Sequence, residues 1–68
     1  MRIVAKRRDG TAWQSAITFF ARSRETAFRT AARKLGIRGP VLTSERVGSD
    51  QWLVNVDGVP MMVLVYQR

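Results

Sequence analysis

Along residues 2–7, Ile3 and Ala5 alternate with Arg2, Val4 and Lys6, the period-two pattern of a strand with one buried face. Asp9-Gly10 follows as a hairpin signal, because Gly tolerates positive φ and Asp favours turns. A second strand is predicted from Thr11 to Arg22, with Trp13, Ile17, Phe19 and Ala21 as its more apolar row. A two-residue Asp-Gly loop would set odd positions of one strand against even positions of the other, placing Lys6 opposite Trp13. A three-residue loop, Arg8-Asp9-Gly10, sets odd against odd, with Ala5 opposite Trp13 and Ile3 opposite Ser15. The second register keeps the apolar rows on one face and is the expected one, since a slip of one residue turns every side chain over.

From Arg24 the period changes. Ala27, Phe28, Ala31, Ala32 and Leu35 share one side of a helix predicted over Arg24–Leu35, while Thr26, Arg29, Thr30 and Arg33 take the other. Ser23 is the expected N-cap and Glu25 places an acid in the first turn, where the dipole favours it. Gly36 is the expected residue just past the end, with Pro40 beyond it. Residues 36–40 are the one linker-like stretch.

Three more strands complete the pattern. Val41–Val47 is followed by a Gly48-Ser49-Asp50 turn. Gln51–Val56 carries Trp52, Val54 and Val56 on one face. Asp57-Gly58 signals a second hairpin, and Val59–Gln67 is apolar on both faces. A strand of that last kind belongs in the middle of a sheet or under another chain. Pro60 is compatible with a strand beginning. The expectation is a single α+β domain over residues 1–68, ordered ββαβββ, with one helix packed on one face of a mostly antiparallel sheet. One helix leaves the other face of a five-stranded sheet uncovered. Phe20, Met62 and Leu64 are expected to make that face partly apolar, and Tyr66 joins Phe20 as a candidate aromatic there. Trp13 and Trp52 are expected in the core.

Composition narrows the chemistry. The chain has no cysteine and no histidine, so a disulfide is impossible and a structural zinc site is essentially excluded. Catalysis is not expected: no His or Cys serves as base or nucleophile, no glycine-rich phosphate loop is present, and the five acids fit turns, a loop, a helix start and a strand. No cofactor is expected. No apolar run reaches the roughly 20 residues that span a bilayer, and no apolar stretch of signal-peptide length follows the N-terminal basic residues. A cytoplasmic protein without a membrane partner is the expectation. The segment Ala31–Ile37 superficially resembles the first helix and turn of a helix-turn-helix, but Gly39-Pro40-Val41-Leu42-Thr43 does not continue as a recognition helix.

Charge adds the functional signal. Residues 1–38 hold ten Lys and Arg against two acids, a net +8, whereas residues 39–68 hold two against three, a net −1. Such a field attracts polyanions or acidic protein surfaces. Ten of the twelve basic residues are Arg, whose planar fork suits phosphate and carboxylate. The candidate contacts are Arg2, Lys6, Arg7 and Arg8 on the first strand and hairpin, Arg22 and Arg24 flanking the helix start, and Arg29 and Arg33 on the outer helix face. Together they are expected to form one surface. The expected function is non-enzymatic binding of DNA or RNA, mainly through the phosphate backbone. The alternative is a small modulator or inhibitor of the kind some phages encode, which docks on an acidic protein through its sheet face or edge. A homodimer joined through the last strand is compatible with either.

Overall fold

The structure is a computed structural model, and it describes residues 1–67. The elements are β1 (Arg2–Asp9), β2 (Ala12–Trp13), β3 (Ile17–Phe20), α1 (Arg24–Lys34), β4 (Val41–Arg46), β5 (Gln51–Val56) and β6 (Val59–Tyr66). All pairings are antiparallel, in the order β2-β1-β6-β5-β4, with β3 sharing the outer edge of β1 beside β2. The α+β fold with one helix on an antiparallel sheet is therefore as the sequence predicts. The doubly apolar β6 lies in the middle, hydrogen-bonded to β1 on one side and β5 on the other. With both edges paired, β6 offers no edge for a second copy of the chain.

The helix forms where its signals stand. Ser23 has extended backbone angles, and its hydroxyl accepts a hydrogen bond from the Thr26 amide at 3.2 Å, satisfying one of the free donors of the first turn. At the other end Gly36 N–H donates to Arg33 C=O at 3.1 Å and Ile37 N–H to Ala32 C=O at 2.8 Å. This pair of bonds is the Schellman arrangement, and it needs the φ of +74° that Gly36 adopts. Its companion apolar contact is Ile37, which is buried although it lies in the stretch the sequence reads as linker.

Ala27, Phe28, Ala31 and Ala32 face the sheet, where Ile3, Ala5, Val54, Val56, Met61, Val63 and Val65 are also buried. These residues form one core between helix and sheet. The three alanines let the helix approach closely, and buried Phe28 meets Trp52, with ring centroids 5.9 Å apart. Asp57 and Gly58 both have positive φ, 52° and 86°, as a two-residue I′ hairpin requires. Among the described residues, no helix is long and apolar enough to cross a membrane.

The first hairpin departs from the expected register. The turn is Gly10-Thr11, with Asp9 opposite Ala12 and Arg8 opposite Trp13, rather than the three-residue Arg8-Asp9-Gly10 loop. Beyond it the pairing resumes with Ala5 opposite Ile17 and Ile3 opposite Phe19. Between these segments β1 spends Lys6 and Arg7, whereas the returning chain spends Gln14, Ser15 and Ala16. That extra residue splits the predicted Thr11–Arg22 strand into β2 and β3. It also inverts the side-chain alternation between them. Ile17 and Phe19 turn toward the helix, as expected. Trp13 shares parity with Arg8 and turns to the opposite face, so the expectation that it belongs to the core is corrected. Trp52 does face the helix and is half-buried.

Candidate functional site

The sheet face away from α1 is the most distinctive surface. Its side chains come from alternate residues of β1 (Arg2, Val4, Lys6, Arg8) and β6 (Met62, Leu64, Tyr66), with Phe20 and Thr18 from β3 and Leu53 from β5. The registers arrange them in rows across the strands. Phe20, Arg2 and Tyr66 form one row; Thr18, Val4 and Leu64 the next; Lys6, Met62 and Leu53 a third. Val4, Met62, Leu64 and Leu53 are half-buried, forming an apolar floor that no other element among the described residues covers. Phe20 is 77% exposed.

Cations and rings interleave on this face. The Arg2 guanidinium lies 4.7 Å from the centre of the Tyr66 ring. Lys6 Nζ and the Arg8 guanidinium lie 5.3 and 5.9 Å from the Trp13 ring. Each such contact contributes about 0.5–1 kcal/mol where exposed, enough to bias the position of a long side chain without neutralising it. Among the described residues the one ion pair is Arg7–Asp9, so no carboxylate pairs with Arg2, Lys6 or Arg8. From the row of Arg2 to that of Arg8 is about 20 Å of strand.

Arg7 stands apart from its neighbours. Its odd position sends it to the helix side, where one guanidinium nitrogen donates to Leu35 C=O and another to Asp9 Oδ1, both at 3.0 Å. Gln14 also donates to Asp9, so the turn and the helix end are linked through one carboxylate. These bonds place Arg7 on the opposite side of the sheet from Lys6 and Arg8, so the three do not stand together as the one finger the sequence suggests. The lysine-arginine-arginine run carries no signal for this division except strand parity.

The helix arginines define a second, separate surface. Arg29 and Arg33, one turn apart, and Arg24 line a groove of about 760 Å³ between α1 and β4. Phe28, Ala32 and Ile37 form its apolar floor, and Val41 and Ser44 line its β4 side. The groove exists because β4 presents Ser44 where its neighbour β5 presents Val54, so the strand gives the helix little apolar surface to cover. Arg24 also lies 4.3 Å from the centre of the Trp52 ring, beside Phe28. Arg22 is exposed at the junction of β3 and α1. The eight basic residues singled out in the sequence therefore do not converge on one surface. Arg2, Lys6 and Arg8 share the open sheet face, Arg24, Arg29 and Arg33 share the groove, and Arg7 serves the helix end.

Trp13 is the contributor to the open face that periodicity misassigns; the absence of clear alternation across Gln14-Ser15-Ala16 is the trace of the inserted residue. The groove escapes detection because Ile37 lies in an apparent linker and Ser44 in an unremarkable strand. Comparison with protein-family models, with curated proteins and with solved structures finds no match to this chain.

Proposed function

We propose that the chain is a non-enzymatic nucleic-acid-binding protein that takes single-stranded DNA or RNA on the open face of its sheet. The supporting observation is the interleaving of Trp13, Phe20 and Tyr66 with Arg2, Lys6 and Arg8 on a face that no element among the described residues covers. Unpaired bases expose flat apolar surfaces that stack on aromatic rings and on guanidinium planes, while the adjacent phosphates attract cations. A duplex buries those surfaces and would leave the three rings without partners. Every base presents a flat face to a ring, so the binding is expected to be strong in its salt dependence and weak in sequence preference.

A fluorescein-labelled single-stranded oligonucleotide of mixed sequence, followed by anisotropy at several salt concentrations, tests this reading. With three phosphates engaged, log K falls against log salt with a slope of about −2. Quenching of Trp13 fluorescence accompanies binding. Failure to bind at low salt, or a preference for duplex over single strand, overturns the proposal.

A further inference from the structure

We infer that the groove between α1 and β4 receives an extended acidic segment of a partner protein, added to the sheet as a strand beside β4. This surface is separate from the open sheet face and the inference does not depend on nucleic-acid binding there. Three features of the structure combine.

β4 ends the sheet, and all six of its residues are exposed. Alternate residues of an edge strand turn their N–H and C=O groups outward, and these are the groups an added strand uses irrespective of its sequence. One bulge interrupts this edge, at Leu42 between the Val41–Val56 and Thr43–Asn55 pairs, and the pairing from Thr43 to Arg46 is regular. Val41 and Leu42 are exposed apolar residues, and the charges of β4, Glu45 and Arg46, are confined to its last two positions. The Arg46 side chain is turned back onto the Gly48 and Ser49 carbonyls, at 3.2 and 2.9 Å.

Beside that edge, the apolar floor of the groove accepts side chains from alternate positions of the incoming segment. Along the helix rim Arg24, Arg29 and Arg33 face a single acid, Glu25, leaving an excess of two positive charges. An apolar residue placed on the floor brings its neighbouring acids toward the rim. The segment that fits therefore alternates apolar and acidic residues.

The other occupants fit less well. A second copy of the chain carries a net charge of +7 and brings its own arginines to the same rim. A nucleic-acid strand supplies acceptors to the arginines and bases to the floor, but no ladder of alternating backbone donors and acceptors to pair with β4.

The test uses the intact chain and a fluorescein-labelled peptide of about eight residues alternating Glu and Val, a length that matches a strand. Anisotropy is expected to show saturable binding, at least about tenfold weaker for the Lys-Val counterpart of the same length. Amide shifts in a nitrogen-15 NMR titration are expected in β4 and the facing side of α1. Arg29→Glu with Arg33→Glu is expected to weaken the peptide by about tenfold or more. If that variant fails to fold, Arg29→Gln with Arg33→Gln carries the same expectation with a smaller loss. Methylating the backbone nitrogens of alternate peptide residues, in both registers, is expected to abolish binding in the register that faces β4. Phe20→Ala is expected to leave the peptide affinity unchanged, which separates this site from the sheet face. The inference is overturned if the Glu-Val peptide does not bind, if neither methylated register weakens it, or if NMR shifts fall outside the groove. It is equally overturned if a single-stranded oligonucleotide displaces the peptide from the groove, or if sedimentation shows that a second copy of the chain already fills it.

Discussion

The guanidinium of Arg7 donates to the carbonyl of Leu35 across 3.0 Å, fastening β1 to the end of α1 at 28 residues' separation. The carbonyls of a last helical turn lack intrahelical partners and carry the negative end of the helix dipole, so a cation there satisfies an acceptor and offsets the partial charge. Arg7→Ala is expected to lower stability by about 1–2 kcal/mol, the loss of a charge-assisted hydrogen bond in a partly exposed setting. Urea denaturation measures it. The same variant is expected to bind single-stranded oligonucleotides nearly as well as the parent protein, unlike a change at either neighbour, Lys6 or Arg8.

Phe20 tests the open face from the opposite direction. At 77% exposure it contributes little to the core, so Phe20→Ala is expected to change stability by less than about 0.5 kcal/mol. If a base stacks on the ring, affinity for single strands falls by about 1–3 kcal/mol. Parallel denaturation and anisotropy measurements separate the two effects.

The three cations of that face act through phosphate neutralisation. Replacing Arg2, Lys6 and Arg8 together by Ala is expected to reduce the magnitude of the salt slope by about 2, because each single-strand phosphate contact contributes roughly 0.7. Arg29→Glu with Arg33→Glu is expected to leave most of that slope in place, since those residues line the groove instead.

Phe28 is the largest side chain that the helix contributes to the core, and it is 5% exposed. Phe28→Ala is expected to cost about 3–5 kcal/mol. A domain of this size has a total stability of about 3–10 kcal/mol, so much of the variant population should be unfolded by circular dichroism.

Gly39 and Asp57 are in close approach where the α1–β4 connection passes the second hairpin. A Cβ on Gly39 would lie 2.6 Å from Asp57 Cβ, and Gly39 has a φ of +111°. Gly39→Ala is expected to destabilise by about 1–3 kcal/mol through backbone strain, with the collision adding to it. Asp57→Gly removes the colliding atoms and suits the positive φ at that position. The double variant is therefore expected to be more stable than the sum of the single effects implies, in a thermal or urea double-mutant cycle.

Most of the fold is legible because local signals and burial agree. Ser23 caps, Gly36 terminates, Asp57-Gly58 turns, and the two apolar faces of Val59–Tyr66 place that strand inside the sheet. The misreadings share a different cause. Parity along β1 is preserved, but Trp13 lies across an inserted residue, and a period-two pattern carries no information about which side of an insertion it belongs to. In the sequence only strand parity separates Arg7 from Lys6 and Arg8. The role of Arg7 emerges only when α1 brings Leu35 within reach. Net charge reported an excess of cations without their direction, and the division into two surfaces follows from which element each one stands on.

The central position of β6 also orders events in time. β1 is made first, yet one of its neighbours in the sheet is the last strand of the series, so during synthesis it must wait through all the intervening residues for that partner. Until then the β1–β3 hairpin and α1 have only half a sheet on which to pack, and closure depends on pairing distant ends of the sequence, a topology associated with slow folding. The nascent chain is thus expected to complete its core only once β6 is available to pair.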